Sequence, residues 1–404
     1  MSKRMETSGG WLFVKRNKKN GECMETQRIV IVGGGVGGTM VANILGKRLK
    51  SKILSRSAEI VLITDQADHI YQPGYLFIAT DQATPERFYR TQREVTTKNV
   101  KLVVDRAIRI DRDKRLVVTQ SGSEIKYDYL VIATGSHPDL DAVQGFKGTG
   151  YSFYTNEEAF KLRKAVTEFN GGRIVIGVGV PHKCPVAPLE ITFMLDDIFR
   201  QRNIRDKVEI VYTYPIGRLH SLKPVADWTP AQFDKRNIKY ETFFNVASVD
   251  PEKKEVKSLE GSAQKFDLFI LIPPHKGAKV IRDSGLGDTD GFIPTDKYTL
   301  KMQGDDNIYV IGDTTNLPIS KAGSTAHYEA DIIVENLIRE LDGLPPTQHY
   351  DGKVFCFIET SLTEATYVWF DYKTPPRPTE PSQMLYWYKL AFNSTYWLAV
   401  RGLL

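Results

Sequence analysis

The chain has 404 residues, of which 41% are hydrophobic and 25% charged, a composition that indicates a globular protein of two or three domains. The formal net charge of +5 is mild and no basic stripe with interleaved aromatic residues appears, which argues against a nucleic-acid partner. Three cysteines are too few for a secreted disulfide scaffold, and no apolar run reaches the roughly 18 residues that a transmembrane helix needs.

The N-terminal segment, residues 1–26, is rich in lysine and arginine, but no apolar h-region of a signal peptide follows before Arg28. We therefore predict no signal peptide and expect the protein to stay in the cytoplasm, where it can still lie on a membrane. The segment is interpreted as a solvated arm, with attraction to an anionic membrane surface as the alternative. Its basic residues are Lys3, Arg4, Lys15, Arg16, Lys18 and Lys19.

Residues 27–45 carry the pattern of a dinucleotide-binding turn. A β-branched apolar run at residues 29–32 predicts a buried parallel strand, and a helical pattern follows. In G-x-G-x-x-G one glycine permits the tight turn, one lets backbone approach a pyrophosphate, and one lets helix and strand pack closely. The three glycines are Gly33, Gly35 and Gly38. A second predicted strand, residues 59–64, ends at Asp65, whose carboxylate either accepts hydrogen bonds from ribose or only forms a turn.

Two further segments distinguish FAD from NAD as the bound dinucleotide. In residues 127–139 a predicted strand leads into an Ala-Thr-Gly turn, and in residues 305–337 a strand leads through a Gly-Asp pair into a helix. The polar and glycine positions concerned are Thr134, Gly135, Gly312 and Asp313. With the first turn, these segments resemble the FAD-binding signatures of the two-dinucleotide-domain flavoprotein oxidoreductases. They follow one another in the order of that superfamily, so the predicted cofactor is FAD.

This resemblance implies roles for Asp313 and Lys321 at the flavin. Asp313 would supply a carboxylate to the ribityl chain. The helix after it would point its N-terminus at the pyrimidine edge of the isoalloxazine ring, where negative charge grows on reduction. Lys321, next to that helix start, would add to the effect, and the alternative is an ordinary solvated lysine.

The second turn, in residues 171–190, begins as a nucleotide loop and then departs from one. The strand and the first glycines are in place, but His182 stands where the third glycine belongs and Pro181 removes a backbone donor. Cys184 follows, and the next strand ends in a Tyr-Pro pair instead of a ribose-binding carboxylate. We predict that the fold of a second dinucleotide domain is kept and its nicotinamide site is lost. A reductant other than NADH must then feed the flavin.

Cys184, Glu190 and the distant Cys356 resemble the motif of the sulfide:quinone oxidoreductases, in which Lys-Cys-Pro is followed by Ala-Pro and a glutamate. Residues 69–82 are similar to the stretch after the second strand in that family, and the resemblance extends from Arg28 to the C-terminus. It implies a redox pair in which Cys356 is nearer the flavin and Cys184 is its partner. No metal site is predicted.

The implied chemistry suits these residue types. Hydrosulfide is a soft nucleophile that attacks a disulfide sulfur, leaving a persulfide on one cysteine and a thiolate on the other. The thiolate passes two electrons to FAD, a second sulfide extends the chain into polysulfide, and a membrane quinone reoxidises the flavin. The implied partners are hydrogen sulfide and a membrane quinone, and the family often forms homo-oligomers.

The chain departs from the family at a third redox cysteine that many members carry after the first domain. The matching segment, residues 148–160, has no cysteine, and Cys23 precedes the first strand and cannot replace it. We therefore expect a two-cysteine variant with non-covalent FAD. The alternative interpretation of Cys184 and Cys356 is a pair of buried, inert thiols, and for Cys23 an inert role is preferred.

Acid–base partners are sought near the second turn. Glu190 matches a family glutamate near the sulfide site, and His220 is matched to a family histidine suited to deprotonate hydrogen sulfide. Asp227 follows in the same predicted loop. A plain surface-loop histidine is the alternative for His220. His182, beside Cys184, would instead lower the pKa of the thiol.

The C-terminal segment, residues 383–404, follows a proline-rich linker and carries six aromatic residues but only two charges, both basic. This composition predicts a helix lying in the membrane–water interface, and the alternative is a helix packed on the body or at a dimer contact. A quinone dissolved in lipid would reach the flavin face away from the cysteines. Aromatic residues between Phe355 and Trp397 are expected to line its channel.

The predicted fold is α/β, with two Rossmann-like dinucleotide-binding domains and a C-terminal membrane-associating region. The FAD-binding domain comprises residues 27–150 and 290–345, the second domain residues 151–289, and the C-terminal region residues 346–404. The leading function is a monotopic sulfide:quinone oxidoreductase at the cytoplasmic face of the cell membrane. The alternatives are a NADH:quinone oxidoreductase of the same fold, a soluble sulfide dehydrogenase that reduces a cytochrome, and a flavin-dependent redox sensor or binding protein.

Overall fold

The computed structural model describes residues 26–404, so the predicted basic arm and Cys23 lie outside the described residues. The strands are β1 Gln27–Val32, β2 Ala58–Thr64, β3 Asp68–Ile70, β4 Tyr89–Thr91, β5 Lys101–Val104, β6 Ala107–Asp111, β7 Leu116–Thr119, β8 Glu124–Lys126, β9 Tyr129–Ile132, β10 Ser136–Pro138, β11 Gly172–Val178, β12 Val208–Tyr214, β13 Lys239–Thr242, β14 Val246–Asp250, β15 Glu255–Ser258, β16 Ala263–Lys265, β17 Leu268–Ile272, β18 His275–Gly277, β19 Ile308–Val310, β20 Val354–Glu359 and β21 Ala365–Phe370. The helices are α1 Val36–Arg48, α2 Lys50–Leu54, α3 Gly74–Ala79, α4 Gln92–Val95, α5 Asn156–Glu168, α6 Ala187–Gln201, α7 Lys223–Asp234, α8 Lys279–Asp283, α9 Gly323–Leu341 and α10 Gln383–Ala399.

The first sheet has five parallel strands in the order β19-β9-β1-β2-β5. Its strands are buried on both faces, as the uninterrupted apolar runs of the sequence predict. Ile29 and Ile31 face a core built with α1 and α9, whereas Val30 and Val32 face a core that includes the antiparallel strands β6 to β8. Most residues of both cores come from the two segments assigned to the FAD-binding domain. Helix α8 and the residues on either side of it, assigned to the second domain, pack instead into the core with β6 to β8, through Ala278, Val280, Ile281 and Leu286. Tyr350 and Val400 of the C-terminal region join the other core.

The second sheet has four parallel strands in the order β13-β12-β11-β17. Ile174 and Ile176 of β11 pack against residues of α6, while Val175 packs against the antiparallel strands β14 and β15 on the other face. This arrangement repeats that of the first sheet, so the chain contains two dinucleotide-type units. The predicted α/β fold class is confirmed.

The two units are joined by a short ribbon and by the C-terminal region. Strands β10 and β18 form an antiparallel pair between the units. The hairpin of β20 and β21 contributes Ile358 and Val368 to the core of the second unit, and the side chains of Tyr396 and Trp397 in α10 pack on the cores of both units. The C-terminal region therefore lies where the two units meet. Among residues 26–404 no helix has the length and apolar character required to cross a membrane.

Candidate active site

The first turn, residues 33–35 between β1 and α1, has the shape of a phosphate-binding loop. Gly33 has φ +114°, a value that favours glycine. A Cβ atom on Gly38 would lie 2.0 Å from the Gly33 carbonyl oxygen, so only glycine lets helix and strand pack this closely. A Cβ atom on Gly35, by contrast, would meet no protein atom within 4 Å. The backbone at Gly35 is thus open to a ligand at the N-terminus of α1.

Other parts of the same unit leave matching space and unused hydrogen-bonding capacity. A Cβ atom on Gly135 or Gly323 would also meet nothing within 4 Å. The Thr134 hydroxyl is buried and has no protein partner among the described residues. Asp313 accepts a hydrogen bond from the Ser136 hydroxyl at 3.0 Å at this edge of the sheet. Open glycines together with an orphaned polar atom are what a bound dinucleotide would fill and satisfy, so these residues fit the predicted FAD.

Two predicted cofactor residues, Asp65 and Lys321, differ in how the structure uses them. Asp65 follows β2, is solvent-exposed, and has one carboxylate oxygen 3.5 Å from the Arg106 Nε. Lys321 turns inward, donating to the carbonyl oxygens of Asp313 at 2.9 Å and Thr315 at 2.8 Å. Burial lowers the Lys321 pKa, although Asp313 opposes this. Lys321 braces the Gly-Asp turn, and its effect on a flavin stays a prediction.

The second turn, residues 179–186 between β11 and α6, does not have this openness. A Cβ atom on Gly179 would lie 2.6 Å from the Pro274 ring. The proline therefore occupies the approach that a pyrophosphate would need. Strand β12 ends at Tyr214 with no carboxylate after it, as the sequence indicates. The loss of the nicotinamide site in this unit stays a prediction.

Cys184 lies in the second turn, just before α6. Its φ of +56° is unusual for a residue with a side chain and costs about 1–2 kcal/mol, and its N–H donates to the Lys321 carbonyl at 2.7 Å. Burial and the negative charge of Glu190 raise the Cys184 pKa to about 12, while the backbone N–H groups of Ala187 and Val186 at the start of α6 lower it. The Ala187 N–H at the start of α6 donates to the Cys184 backbone carbonyl at 3.2 Å, so the cysteine turn itself lies at the N-terminus of this helix.

Cys356, in the middle of β20, shares this environment. Burial raises the pKa of its thiol, and the charges of Cys184 and Glu190 raise it further. The three groups therefore lie close enough to sense one another. Both cysteines are free thiols, each half-buried. Although they lie far apart in the chain, both cysteines pack against the same buried core. Their action as a redox pair stays a prediction.

Sequence reasoning missed two members of a buried charge cluster beside the cysteines. Lys389 of α10 places its ammonium 2.6 Å from Glu190 and 3.1 Å from Glu359, and all three side chains are less than 10% exposed. Burial alone would lower the Lys389 pKa, but the two carboxylates raise it above its ordinary value. Burial raises the Glu359 pKa, against the pull of Lys389. The available signal was a single lysine in an otherwise apolar helical segment.

Three predicted acid–base residues are corrected by their surroundings. Asp227 is exposed and pairs with Lys223 at 2.6 Å on α7, so it is not part of the buried site. His220 is fully buried, and its Nδ1 accepts the Leu222 N–H at 3.0 Å. Its Nε2 must then carry the proton and donate to the Pro185 carbonyl at 2.9 Å. With both ring nitrogens engaged, His220 supports the cysteine turn and has no free acceptor for a substrate proton.

His182 cannot lower the Cys184 pKa as expected. Burial lowers the His182 pKa to about 4, so the ring is neutral near pH 7 and carries no charge that would stabilise a thiolate. Its Nδ1 lies 3.2 Å from the Lys183 carbonyl oxygen. The groups that favour the Cys184 thiolate are instead the N–H groups at the start of α6 and the ammonium of Lys389.

Helix α10 is held to the body by polar contacts on its inner face. Asn393 accepts from the Tyr71 hydroxyl at 2.5 Å, the Tyr396 hydroxyl pairs with His69 at 2.6 Å, and the Val400 carbonyl accepts from Asn43 at 2.8 Å. Its outer face is apolar: the exposed residues with large hydrophobic side chains are Met384, Trp387, Tyr388, Phe392 and Leu398. The outer face of α10 is therefore more apolar than the outer face of a typical water-exposed helix.

A cavity of about 300 Å³ lies between α10 and residues 71–90. The aromatic and apolar residues that line it are Tyr71, Phe77, Phe88, Tyr386, Leu390 and Trp397. Burial raises the Tyr71 pKa, and the charges of Lys389, Glu190, Glu359 and Cys184 all act on its hydroxyl. The cavity therefore adjoins the charge cluster and the cysteine site. It includes aromatic residues of the predicted C-terminal lining, but half of this wall comes from residues 71–88, which the sequence did not indicate.

Comparison with known proteins identifies a family and several relatives of this chain. Residues 27–330 match the family described as Pyridine nucleotide-disulphide oxidoreductase. The chain is 30% identical over 403 residues to the mitochondrial sulfide:quinone oxidoreductase of Dictyostelium discoideum, covering 95% of this chain and 86% of that protein. It is 27% identical over 368 residues to the Mus musculus protein of the same name, covering 87% and 80%. The X-ray structure of the sulfide:quinone oxidoreductase from Aquifex aeolicus matches with a TM-score of 0.83 at 23% identity, covering 93% and 92%, which shows a shared fold.

Proposed function

The chain belongs to the pyridine nucleotide-disulphide oxidoreductases and, within them, to the sulfide:quinone oxidoreductases, and from this premise we propose that Cys184 and Cys356 oxidise sulfide and feed a membrane quinone. The enzyme is flavin-dependent. One observation carries the assignment of residues. The turn that carries Cys184 lies at the N-terminus of α6, where a nicotinamide phosphate would be expected, and Cys184 and Cys356 pack against the same buried core.

The proposed sulfur chemistry balances in atoms and electrons. With the pair oxidised to a disulfide, hydrosulfide attacks the sulfur of Cys184, forming a persulfide there and breaking the bond to Cys356, which leaves as a thiolate. The incoming sulfur changes from the −2 to the zero-valent state and gives up two electrons. The quinone takes up those electrons and two protons, so that hydrosulfide, quinone and one proton yield zero-valent sulfur and quinol. A second hydrosulfide attacks the outer sulfur of the persulfide and leaves with it as a disulfide anion, HSS⁻, while the Cys184 thiolate is released. The two thiolates re-form the disulfide when their two electrons pass on to the quinone.

FAD is proposed to lie against the first turn, held by Gly33, Gly35 and Gly38 at its pyrophosphate and by Asp313 at its ribityl chain. It supplies a two-electron carrier between sulfur and quinone. Residues 148–160 contain no cysteine to bond it, which supports non-covalent binding. The chain's own contribution is to orient the sulfur at the second turn, through the Cys184 N–H to Lys321 carbonyl bond and the His220 support of Pro185.

The quinone is proposed to bind in the cavity beneath α10. Aromatic side chains line the cavity beside Arg87 and Arg90, and the centre of the Phe77 ring in its wall lies 5.5 Å from the Lys389 Nζ of the charge cluster. Helix α10, which forms one wall, has an apolar outer face. That face has the composition of a membrane–water interface anchor, with Trp387, Tyr388 and Phe392 exposed. We propose that α10 lies in the membrane surface, on the cytoplasmic side of the cell membrane, and admits quinone from the lipid.

Steady-state reduction of a short-chain quinone by sulfide tests this function. Cys184→Ser and Cys356→Ser should each lower the turnover number at least about 100-fold while leaving the flavin content unchanged, because neither can form the disulfide. Cys23→Ser is the matched control and should behave like the wild type. Full activity in Cys184→Ser would contradict the proposal and favour a flavin-dependent binding or sensing role.

A further inference from the structure

Lys183, the residue before Cys184, has an ammonium group that the protein only partly satisfies. Its side chain is 17% exposed, and Nζ donates one hydrogen bond, to Gln72 at 2.9 Å. The nearest carboxylate oxygen, on Asp313, is 3.9 Å away and already accepts a bond from Ser136. An ammonium group has three hydrogens to donate, so Lys183 retains capacity for an anionic partner.

The other two lysines near the cysteines are fully used. Lys389 pairs with two carboxylates, Glu190 and Glu359. Lys321 donates to two carbonyl oxygens and lies 3.9 Å from the centre of the Phe292 ring. Of these three cations, Lys183 is therefore the one able to attract a further negative charge.

His275 provides a second, independent observation on the same side of the cysteine turn. Its Nδ1 lies 2.9 Å from the Pro273 carbonyl oxygen, so Nδ1 carries the hydrogen and Nε2 is a bare acceptor. The residue is 1% exposed, and Nε2 has no partner among residues 26–404. Burial, with the positive charge of Lys183, lowers the His275 pKa to about 2, so the ring stays neutral. A buried acceptor without a donor costs about 1–3 kcal/mol unless a ligand supplies one.

Tyr154 links the His275 ring to the Lys183 backbone, and His275 is also bonded to the turn that carries Cys184. The His275 backbone N–H donates to the Pro181 carbonyl at 2.6 Å, and the His275 ring meets the Tyr154 ring edge-on with centres 4.6 Å apart. The Tyr154 hydroxyl donates to the Lys183 carbonyl at 3.2 Å. Since Pro181 is exposed and Lys183 only partly buried, this side of the turn runs from the surface towards Cys184.

A cation beside the cysteine turn would favour the approach of an anion. Hydrosulfide must approach thiols on which the negative charge of Glu190 acts, and Lys389, which opposes it, is already paired with Glu190 and Glu359. We propose that Lys183 and His275 form a receiving site for the hydrosulfide anion in front of Cys184. The ammonium attracts the charge and His275 Nε2 accepts the hydrogen that remains on sulfur. This inference rests on the proposed function and names how its substrate is captured.

Anaerobic stopped-flow reduction of the flavin by sulfide, at several salt concentrations, tests the site on the holoenzyme. Lys183→Gln should lower the second-order rate constant about tenfold at low salt and flatten its salt dependence, because the attraction of a charge is lost. Lys183→Arg should keep most of the rate. His275→Leu should lower the rate about threefold, while His275→Gln, which retains an acceptor, should lower it less.

Two controls separate capture of the anion from general damage to the turn. Lys276, the residue after His275, has an ammonium group that pairs with Asp139 at 2.6 Å. Lys276→Gln removes one positive charge, as Lys183→Gln does, and should leave the rate of reduction by sulfide unchanged. A neutral phosphine reduces a disulfide without carrying a negative charge, so its rate of reaction with the cysteine pair should be the same in Lys183→Gln as in the wild type.

Each result decides between distinct conclusions. A wild-type sulfide rate and salt dependence in Lys183→Gln would overturn the receiving site alone, as would an equal loss of the sulfide and phosphine rates, which would mark Lys183 as a structural support. If sulfide fails to reduce the flavin of the wild type, the proposed function itself is wrong and the receiving site falls with it.

Discussion

The two strand-to-helix turns of this molecule lie at equivalent places in two similar units. They differ in the groups that they place at the positively polarised N-terminus of the helix that follows. Residues 33–35 connect β1 to α1 and leave the helix N-terminus open, with no acidic residue in the first turn of α1. Residues 179–186 connect β11 to α6 by a longer path, and Glu190 lies in the first helical turn. The N-terminus of α1 is therefore open to an anion from outside the chain, whereas at the N-terminus of α6 the chain itself places a carboxylate and a cysteine.

In the proposed function, this position of the fold binds a cofactor in the first unit and performs chemistry in the second. Partial positive charge at a helix N-terminus stabilises a phosphate or a thiolate. At the second turn the Pro274 ring lies against Gly179, and the Ala187 N–H at the start of α6 donates to the Cys184 backbone carbonyl at 3.2 Å. The carboxylate of Glu190 then requires a cation, which α10 provides through Lys389.

The largest expected effect breaks the first turn. Gly38→Ala should abolish FAD binding, because the new Cβ atom would lie 2.0 Å from the Gly33 carbonyl oxygen and force helix and strand apart. The ratio of flavin to protein absorbance in the purified enzyme measures this. Gly35→Ala, whose Cβ meets no protein atom, is the control and should fold normally with FAD bound about tenfold more weakly. Stoichiometric FAD in Gly38→Ala would mean that the turn is not the pyrophosphate site.

The next effect tests the internal cation of the second turn. Lys389→Met should lower the free energy of unfolding by about 3 kcal/mol, since it leaves two buried carboxylates without their partner. Urea unfolding measures the loss. Lys223→Met, which breaks an exposed pair with Asp227, should change stability by less than about 1 kcal/mol. Equal effects of the two substitutions would contradict the account of a buried cluster.

A smaller effect concerns the outer face of the helix that carries Lys389. Replacing both Trp387 and Phe392 by Ser should weaken binding to phospholipid vesicles by about 2 kcal/mol, or about 30-fold, through lost apolar burial. Co-sedimentation with phosphatidylcholine–phosphatidylglycerol vesicles gives the partition coefficient. Leu259→Ser, at a residue 74% exposed between β15 and β16, is the control and should bind like the wild type. If both variants bind vesicles as the wild type does, α10 is not the anchor.

The smallest predicted effect is the pH dependence contributed by Glu359. Burial raises its folded pKa above the unfolded value, so the native state holds a proton that the unfolded chain has lost. Its contribution to stability is therefore fully present below the ordinary carboxyl pKa and is lost as pH rises through the raised value. Between pH 5 and pH 8, the free energy of unfolding of Glu359→Gln should therefore fall by about 1 kcal/mol less than that of the wild type.

Urea midpoints at the two pH values measure this difference for wild type and variant. The exposed Glu335→Gln, whose side chain is 42% accessible and pairs with Arg48, is the control and should keep the wild-type pH dependence. An unchanged pH dependence in Glu359→Gln would show that Glu359 is ionised throughout the range.

Both turns could be predicted from the sequence because each depends on local features. A short stretch of sequence shows the glycines that follow residues 29–32. Another shows Pro181, His182 and Cys184 where a nucleotide-binding turn would have different residues. The structure places a turn after β1 and after β11, as these stretches predict. The charge cluster could not be predicted, since Glu190, Glu359 and Lys389 meet only through tertiary packing. A lone lysine among aromatic residues was the one available sign of it.

Glu190 lies at the predicted site, but His220, His182 and Asp227 lack the surroundings that their predicted roles need. Burial decides what a titratable side chain can do, and a short motif does not reveal burial. His220 matched a family pattern, yet both of its nitrogens are used to support the turn. Asp227 lies near it in sequence but on the exposed face of α7. Lys183 and His275, which now carry the inference about substrate capture, stand out only once their hydrogen bonds are counted.

The most direct test of the exchanged second turn is anaerobic absorbance of the flavin in the purified enzyme, with NADH added first and sulfide second. The account predicts that NADH leaves the oxidised spectrum unchanged, because Pro274 and Cys184 occupy the nicotinamide phosphate approach, and that sulfide then bleaches it rapidly. A short-chain quinone should restore the oxidised spectrum. Bleaching by NADH, with no response to sulfide, would contradict the account and return the second turn to nicotinamide binding.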